Sequence, residues 1–511
     1  MANKLLLKAL LGLALTSSPA WAGATQPTVK LPAGVLRGEA AGTGAVFKGV
    51  PYAAAPVGDR RWRSPQPAPT WSGVRDAIGY APACVQPDQG WNHAPAASAS
   101  EDCLYLNVWT PKLASAAKLP VMVWIHGGAF VGGSGSEATF DGAALSAHGV
   151  VVVTLNYRLG VFGFLAHRDL SSTSPDKTSG NYGLQDQLAA LEWVRDNIAK
   201  FGGDPGKVTL FGQSAGGASV IDLVASPRAR GLMRGAIVQS GAILRQEPMA
   251  NLAQAETIGD RFAAGAPLSD LRALGASEVL ARWGGFARQS PANQIGPIVD
   301  GRMLADDPQA VYARHGEAKI PMIIGNNARE GFQRLSDAEL PAAIARLYGP
   351  KAASAAAQYG AAPDPVLGTA AATFVTDSNF RCGSVITASR HAQGGGKVFS
   401  YQFEQSLPGR PQDGAAHSYE LPFVFGNLAP DGILGGAFTP EDRGLSDLMA
   451  LYWTNFAKTG DPNGGGAPAW PRYDSQKRAY VRLASALRGH VTTDAGLRRE
   501  ACDLFEQTLT R

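Results

Sequence analysis

The sequence predicts an α/β protein, a mostly parallel sheet flanked by helices, from three observations. Continuous apolar runs rich in β-branched residues occur at 121–125 (VMVWI) and 150–155 (VVVVTL). Over 183–200, Leu184, Leu188, Leu191, Val194 and Ile198 recur at steps of three and four. At 208–211 (VTLF) the apolar run returns, giving the order strand, helix, strand.

Each element has a physical reason. Runs of the first kind suit strands buried on both faces of a parallel sheet, where no alternation with polar residues is needed. The second spacing gives a helix one buried face. Together they form the βαβ grammar of an α/β sheet. Further strand-like runs at 236–239, 321–324 and 398–403, separated by Gly- and Pro-rich loops and helical stretches, carry the alternation through most of the 511 residues. There is no internal repeat and no linker-like tract; the Ala-rich 352–357 reads as a helix and Gly464-Gly465-Gly466 as a surface loop. Residues 23–511 are therefore expected to form one domain.

Residues 1–22 are read as a signal peptide. Lys4 and Lys8 flank and interrupt an apolar run over 5–15, and Pro19 precedes Ala20-Trp21-Ala22, small residues at the first and third positions of a cleavage site. The mature chain is expected to begin near Gly23 and to be secreted or periplasmic. No later segment has the 18 or so uninterrupted apolar residues of a membrane helix, so no stable membrane insertion is expected. Lys4 and Lys8 account for two of the four net positive charges, leaving +2 on the mature chain. No dense Lys/Arg stripe with interleaved aromatics occurs, which argues against a nucleic-acid partner. The four cysteines, Cys84, Cys103, Cys382 and Cys502, have neither zinc-knuckle nor Cys-x-x-Cys spacing; behind an export signal an even count reads as disulfides.

The chemistry concentrates at Gly212-Gln213-Ser214-Ala215-Gly216, a G-x-S-x-G directly after a strand. A serine on a sharp strand-to-helix turn is pushed out of the sheet's upper edge, and flanking glycines let sheet and helix approach. Its hydroxyl needs a base, and the base a carboxylate to hold it. In this topology the order is serine, acid, histidine. Of the histidines only His315, His391, His417 and His490 follow Ser214, and His417, in a Gly-Ala-Ala loop before Ser418-Tyr419-Glu420, is the best placed. Glu330 follows the strand-like Met322-Ile323-Ile324-Gly325, the edge where such sheets assemble sites. His126-Gly127-Gly128-Ala129-Phe130 also follows a strand, and its small residues suit a loop offering backbone N–H groups to an oxyanion.

In these residues taken together the chain resembles the type-B carboxylesterases, the family that includes the cholinesterases. The resemblance runs through Phe47-Lys48-Gly49-Val50-Pro51-Tyr52, Glu101-Asp102-Cys103-Leu104, Asn156-Tyr157-Arg158-Leu159-Gly160, Gly180-Asn181-Tyr182-Gly183-Leu184 and Trp453-Thr454-Asn455-Phe456-Ala457. It implies an α/β-hydrolase fold, a catalytic triad of Ser214, Glu330 and His417, oxyanion donors at Gly128, Ala129 and Ala215, and hydrolysis of short to medium acyl esters. It implies a Cys84–Cys103 disulfide as well; Cys382 with Cys502 follows only by parity. Arg61 with Glu101 and Arg158 with Asp186 are expected as buried structural pairs. Gln213 departs from the family's usual glutamate, which puts its local hydrogen bonds in question.

The other motifs imply less. Gly133-Ser134-Gly135-Ser136-Glu137-Ala138 loosely fits a dinucleotide fingerprint, but no ribose-binding acid is placed to use it, and it is assigned to the loop near the oxyanion residues. No cofactor or metal is implied. Trp91 is read as loop packing. An amidase, carbamate hydrolase or lactonase could use the same triad, and adhesion modules of the family lack catalytic residues that this chain retains. The resemblance also implies that Gly127-Gly128-Ala129 before an aromatic turns a backbone carbonyl aside and leaves room for bulky alcohols.

Overall fold

A computed structural model describes residues 26–242, 244, 246–331, 335–360 and 362–509. The leader expected over 1–22 lies outside them. The main sheet has eleven strands among the described residues. In chain order these are β1 (Glu39–Ala41), β2 (Gly44–Pro51), β3 (Tyr105–Thr110), β4 (Leu119–Ile125), β5 (Val151–Leu155), β6 (Gly203–Gln213), β7 (Gly235–Gln239), β8 (Met322–Asn327), β9 (Val398–Phe403), β10 (Ala479–Leu483) and β11 (Val491–Ala495). Their order across the sheet is β11-β10-β9-β8-β7-β6-β4-β5-β3-β2-β1. Every pairing from β5 to β10 is parallel, and those at the two edges are antiparallel. A small sheet of Thr28–Leu31, Gly34–Arg37 and Val74–Asp76 lies apart.

The apolar runs are continuous because both faces of the sheet are covered. Along β4, Val121, Val123 and Ile125 enter one core cluster and Met122 and Trp124 the other; β5 splits its valines in the same way. Helix α1 (Tyr182–Asn197) packs Leu184, Leu188, Leu191 and Val194 into the first cluster, as its spacing predicts. The helix Pro440–Thr459 covers the opposite face with Leu445, Met449 and Trp453. Burial of this kind contributes about 25 cal/mol per Å² of apolar surface.

The expected structural pairs form. Arg61 Nε donates to Glu101 Oε2 at 2.7 Å, and Arg158 grips Asp186 through Nε at 2.8 Å and Nη2 at 2.7 Å, with Asp186 fully buried. Removing one partner of such a pair leaves an uncompensated charge in the core. Both disulfides are present, Cys84–Cys103 and Cys382–Cys502. The second joins helix α4 (Cys382–Gln393) to the C-terminal helix Arg499–Leu509 across 120 residues of chain. A crosslink across so long a loop is worth roughly 4 to 5 kcal/mol in the chain-entropy model. Replacing Cys382 and Cys502 together by serine should lower the urea unfolding free energy by about that amount; an unchanged midpoint would show the crosslink to be idle.

Candidate active site

The strand β6 ends at Gln213 and helix α2 (Ala215–Ala225) begins one residue later, so Ser214 makes the whole turn. Its backbone lies at φ 56°, ψ −124°, a region non-glycine residues rarely occupy. The turn is held by Ser214 N donating to Gln239 O at 2.9 Å. Its glycines are sterically required. A Cβ on Gly216 would lie 2.0 Å from the Ile125 carbonyl oxygen, one on Gly212 2.5 Å from Gly216, and one on Gly217 2.9 Å from Gln239 O. The helix thus sits directly on β4, and Ser214 remains partly exposed at the sheet's edge.

The glycine loop after β4 packs on this turn: a Cβ on Gly127 would approach Ser214 Cβ to 3.1 Å. Gly128 (φ 107°), Ala129 (φ 54°) and Phe130 (φ 61°) follow one another in left-handed geometry. The Gly128 carbonyl accepts from Val131 N at 2.9 Å and Gly132 N at 3.0 Å, so it turns back into its own loop. The N–H groups of Gly128, Ala129 and Ala215 donate to no backbone acceptor among the described residues. His126 anchors the loop from beneath. Its ring stacks on Tyr157 with centroids 4.5 Å apart, and burial pushes its pKa down to about 4, so it is a neutral structural residue.

Glu330 is buried just beyond β8. Its Oε1 accepts from Ser240 Oγ at 2.7 Å and from Asn327 N at 2.8 Å, and its Oε2 meets His417 Nδ1 at 2.6 Å. A carboxylate on Nδ1 fixes the tautomer whose Nε2 lone pair is open to accept. Phe380 packs against the imidazole with ring centroids 5.1 Å apart.

The sequence pairs Glu330 with His417 and sets both against Ser214. Glu330 and His417 do meet, but Nε2 of His417 faces Gln213 Nε2 at 2.9 Å, one residue before the serine. The Ser214 hydroxyl makes no hydrogen bond to a described residue in this arrangement. Gln213 thus contacts the imidazole through an amide N–H. A second buried carboxylate, Glu420, was also missed. It accepts from Gln239 Nε2 at 3.1 Å and Asn327 Nδ2 at 2.7 Å. Burial first, and Glu330 second, hold its pKa above the ordinary carboxylate range. Its signal was its place three residues after His417, near enough to share that residue's carboxylate environment. Trp91 packs against the glycine loop, where a Cβ on Gly132 would lie 2.8 Å from its ring. Gly133 N donates to Gln86 Oε1 at 2.8 Å and Ser134 Oγ to Asn156 Oδ1 at 3.0 Å, so the dinucleotide-like segment is loop wall.

Comparison with known proteins gives a consistent family. The carboxylesterase family model matches residues 25–345 and 358–505. A fumonisin B1 esterase of Sphingopyxis macrogoltabida is 40% identical over 443 residues, covering 84% of this chain and 81% of its own. A para-nitrobenzyl esterase of Bacillus subtilis is 39% identical over 463 residues, covering 86% and 91%. A solved carboxylesterase of Geobacillus stearothermophilus superposes with a TM-score of 0.80 at 37% identity, over 93% of this chain and 99% of that one. The sheet order and crossovers are those of the α/β-hydrolase fold shared by these structures.

Proposed function

Because the chain belongs to the carboxylesterase family and is a carboxylic-ester hydrolase, we propose that it works through Ser214, His417 and Glu330 with an acyl-enzyme intermediate on short to medium acyl esters. The observation that carries this reading is the serine's strained turn, set against a loop of unused N–H groups and next to an imidazole already held by a buried carboxylate. The His417 lone pair shifts from the Gln213 amide to the adjacent Ser214 hydroxyl. It takes that proton as Oγ bonds to the ester carbon. The N–H groups of Gly128, Ala129 and Ala215 receive the oxyanion, each such donor being worth about 3 to 4 kcal/mol in the transition state. The imidazolium, stabilised by Glu330, returns its proton to the departing alcohol. Water, deprotonated by the same nitrogen, then releases the acid and restores Ser214. Residues 23–511 act as one catalytic domain exported behind residues 1–22.

In protein recovered from the medium or periplasm, whose amino terminus should read near Gly23, Ser214→Ala should lower kcat on p-nitrophenyl butyrate by about 10⁶ with circular dichroism unchanged. Retained turnover would end the assignment.

Gln213 sets the second expectation. Among the described residues, the polar groups facing His417 include Glu330 at Nδ1, Glu420 behind it and Gln213 at Nε2. An amide N–H on Nε2 favours the neutral imidazole that serves as base; a carboxylate there favours the protonated one. The base form would then appear only at higher pH. Gln213→Glu should accordingly move the acidic limb of kcat/KM up by about one pH unit. A limb that stays in place, or moves down, contradicts this role.

The Gly128 carbonyl, turned back into its own loop, supports the reading that the alcohol side of the loop is open. Slow, Ser214-dependent hydrolysis of tert-butyl acetate is expected beside fast hydrolysis of p-nitrophenyl acetate. Complete refusal of the tertiary ester at high enzyme concentration would show that reading of the loop to be wrong.

A further inference from the structure

A cavity of about 350 Å³ lies beside the site, within the range of small-molecule pockets. Ala129 of the glycine loop, Gly241 and Ala218 form one end of it. Ala218 N donates to the Ser214 carbonyl at 2.8 Å, so this end is one helical turn from the serine. No described residue of 411–420, the loop that carries His417, lines the cavity. A departing alcohol has to stand by the imidazole that protonates it. The arm of the ester that faces away from that loop is the acyl chain, and the cavity is on the acyl side.

Its walls are mostly apolar, but one part is not. Tyr312, on helix α3 (Pro308–Ala313), lines the cavity and is only 2% exposed. Its hydroxyl has no hydrogen-bond partner among the described residues. Burial, with the carboxylates of Glu317 and Asp222 nearby, holds its ionisation well above the ordinary phenol range, so it is a neutral O–H donor. Buried hydroxyls are nearly always partnered, and an open one on a ligand cavity marks a place where a ligand supplies the acceptor.

We infer that the preferred acyl chain is of medium length and carries a neutral hydrogen-bond acceptor, a hydroxyl, oxo or ether oxygen, near its far end, where Tyr312 Oη donates to it. Asp222 also lines the cavity, eight residues after Ser214, which at about 1.5 Å per residue is roughly 12 Å along α2. With C–C bonds of about 1.5 Å, an extended chain advances roughly 1.3 Å per carbon, so about eight to ten carbons span the distance. Tyr312 is in this view a specificity residue that never touches the reacting atoms.

The inference rests on Ser214 as nucleophile, and the test separates the two. p-Nitrophenyl octanoate and decanoate are each compared with the ester carrying a terminal hydroxyl. In at least one pair the hydroxylated ester should show about tenfold higher kcat/KM, and Tyr312→Phe should bring that ratio close to one. The variant removes an unpartnered hydroxyl, so its melting temperature should not fall below that of the unaltered protein. No preference in either pair, or a preference that survives Tyr312→Phe, overturns the inference. Failure of the unaltered protein to cleave p-nitrophenyl acetate, or cleavage retained in Ser214→Ala, would instead overturn the reading of Ser214 and the inference with it.

Discussion

The site depends on one close backbone approach, that of helix α2 to strand β4 at Gly216. With 2.0 Å between a would-be Cβ there and the Ile125 carbonyl, no side chain fits, and the helix can seat its first turn on the strand only through glycine. That seating decides where Ser214 stands and why its backbone is strained. It also brings the Ala215 N–H beside the loop that begins at His126, since β4 runs directly into that loop. A strained φ at a non-glycine residue costs on the order of 1 to 3 kcal/mol and survives only where the surroundings over-determine it. Here they do, through Ser214 N on Gln239 O below and α2 packed above.

A second layer of hydrogen bonds ties neighbouring strands to that turn. Gln239 ends β7, accepts from Ser214 N, and passes its side chain to Glu420 and Trp453. Ser240, the next residue, is bent to φ 48° and gives its hydroxyl to Glu330. Asn327, at the end of β8, donates its backbone N–H to Glu330 and its side-chain N–H to Glu420. Each buried carboxylate is therefore met by several donors from the C-terminal ends of adjacent parallel strands, the condition under which burying a charge is tolerable. Parallel pairing places those ends side by side, so the register of the sheet is also the register of the site.

The central sheet was legible because its strands are buried on both faces, which writes them as unbroken apolar runs at 121–125 and 150–155. Strand Glu39–Ala41 is exposed along its whole length and carries no such pattern, and nothing local marks the small sheet near the amino end. The contact of Glu330 with His417 and the place of the glycine loop beside Ser214 were legible because strand ends and family motifs flag them. The partner of His417 Nε2 was not. That Gln213 reaches the imidazole follows from two segments 204 residues apart meeting at a particular angle, which no spacing rule encodes. Glu420 escaped notice for a related reason: a carboxylate in an apolar stretch reads as a helix-surface charge until the packing shows it buried. Tyr312 reads from sequence as ordinary core, which by burial it is; its open hydroxyl is a property of what fails to pack against it.

The polar groups of the interior differ in how their hydrogen bonds are completed, and the difference separates scaffold from working surface. Arg158 with Asp186 is saturated by the protein alone: the carboxylate takes the Arg158 backbone N–H and two guanidinium N–H groups, leaving nothing to exchange. Gln213 is satisfied by a partner that has another task in the proposed mechanism, where the same imidazole nitrogen accepts from Ser214. An amide suits that position because it binds the neutral ring without fixing a proton on it, as a carboxylate would. The backbone N–H groups around Ser214 and the Tyr312 hydroxyl go one step further and have no protein acceptor among the described residues. Leaving donors open in a folded protein costs stability unless something else completes them. In the proposed mechanism the first set has a partner that exists only while the carbonyl oxygen carries charge. On the inference drawn for Tyr312, its hydroxyl has a partner only if the acyl chain that enters supplies one, so binding there would turn on the substrate's chemistry and not on its length alone.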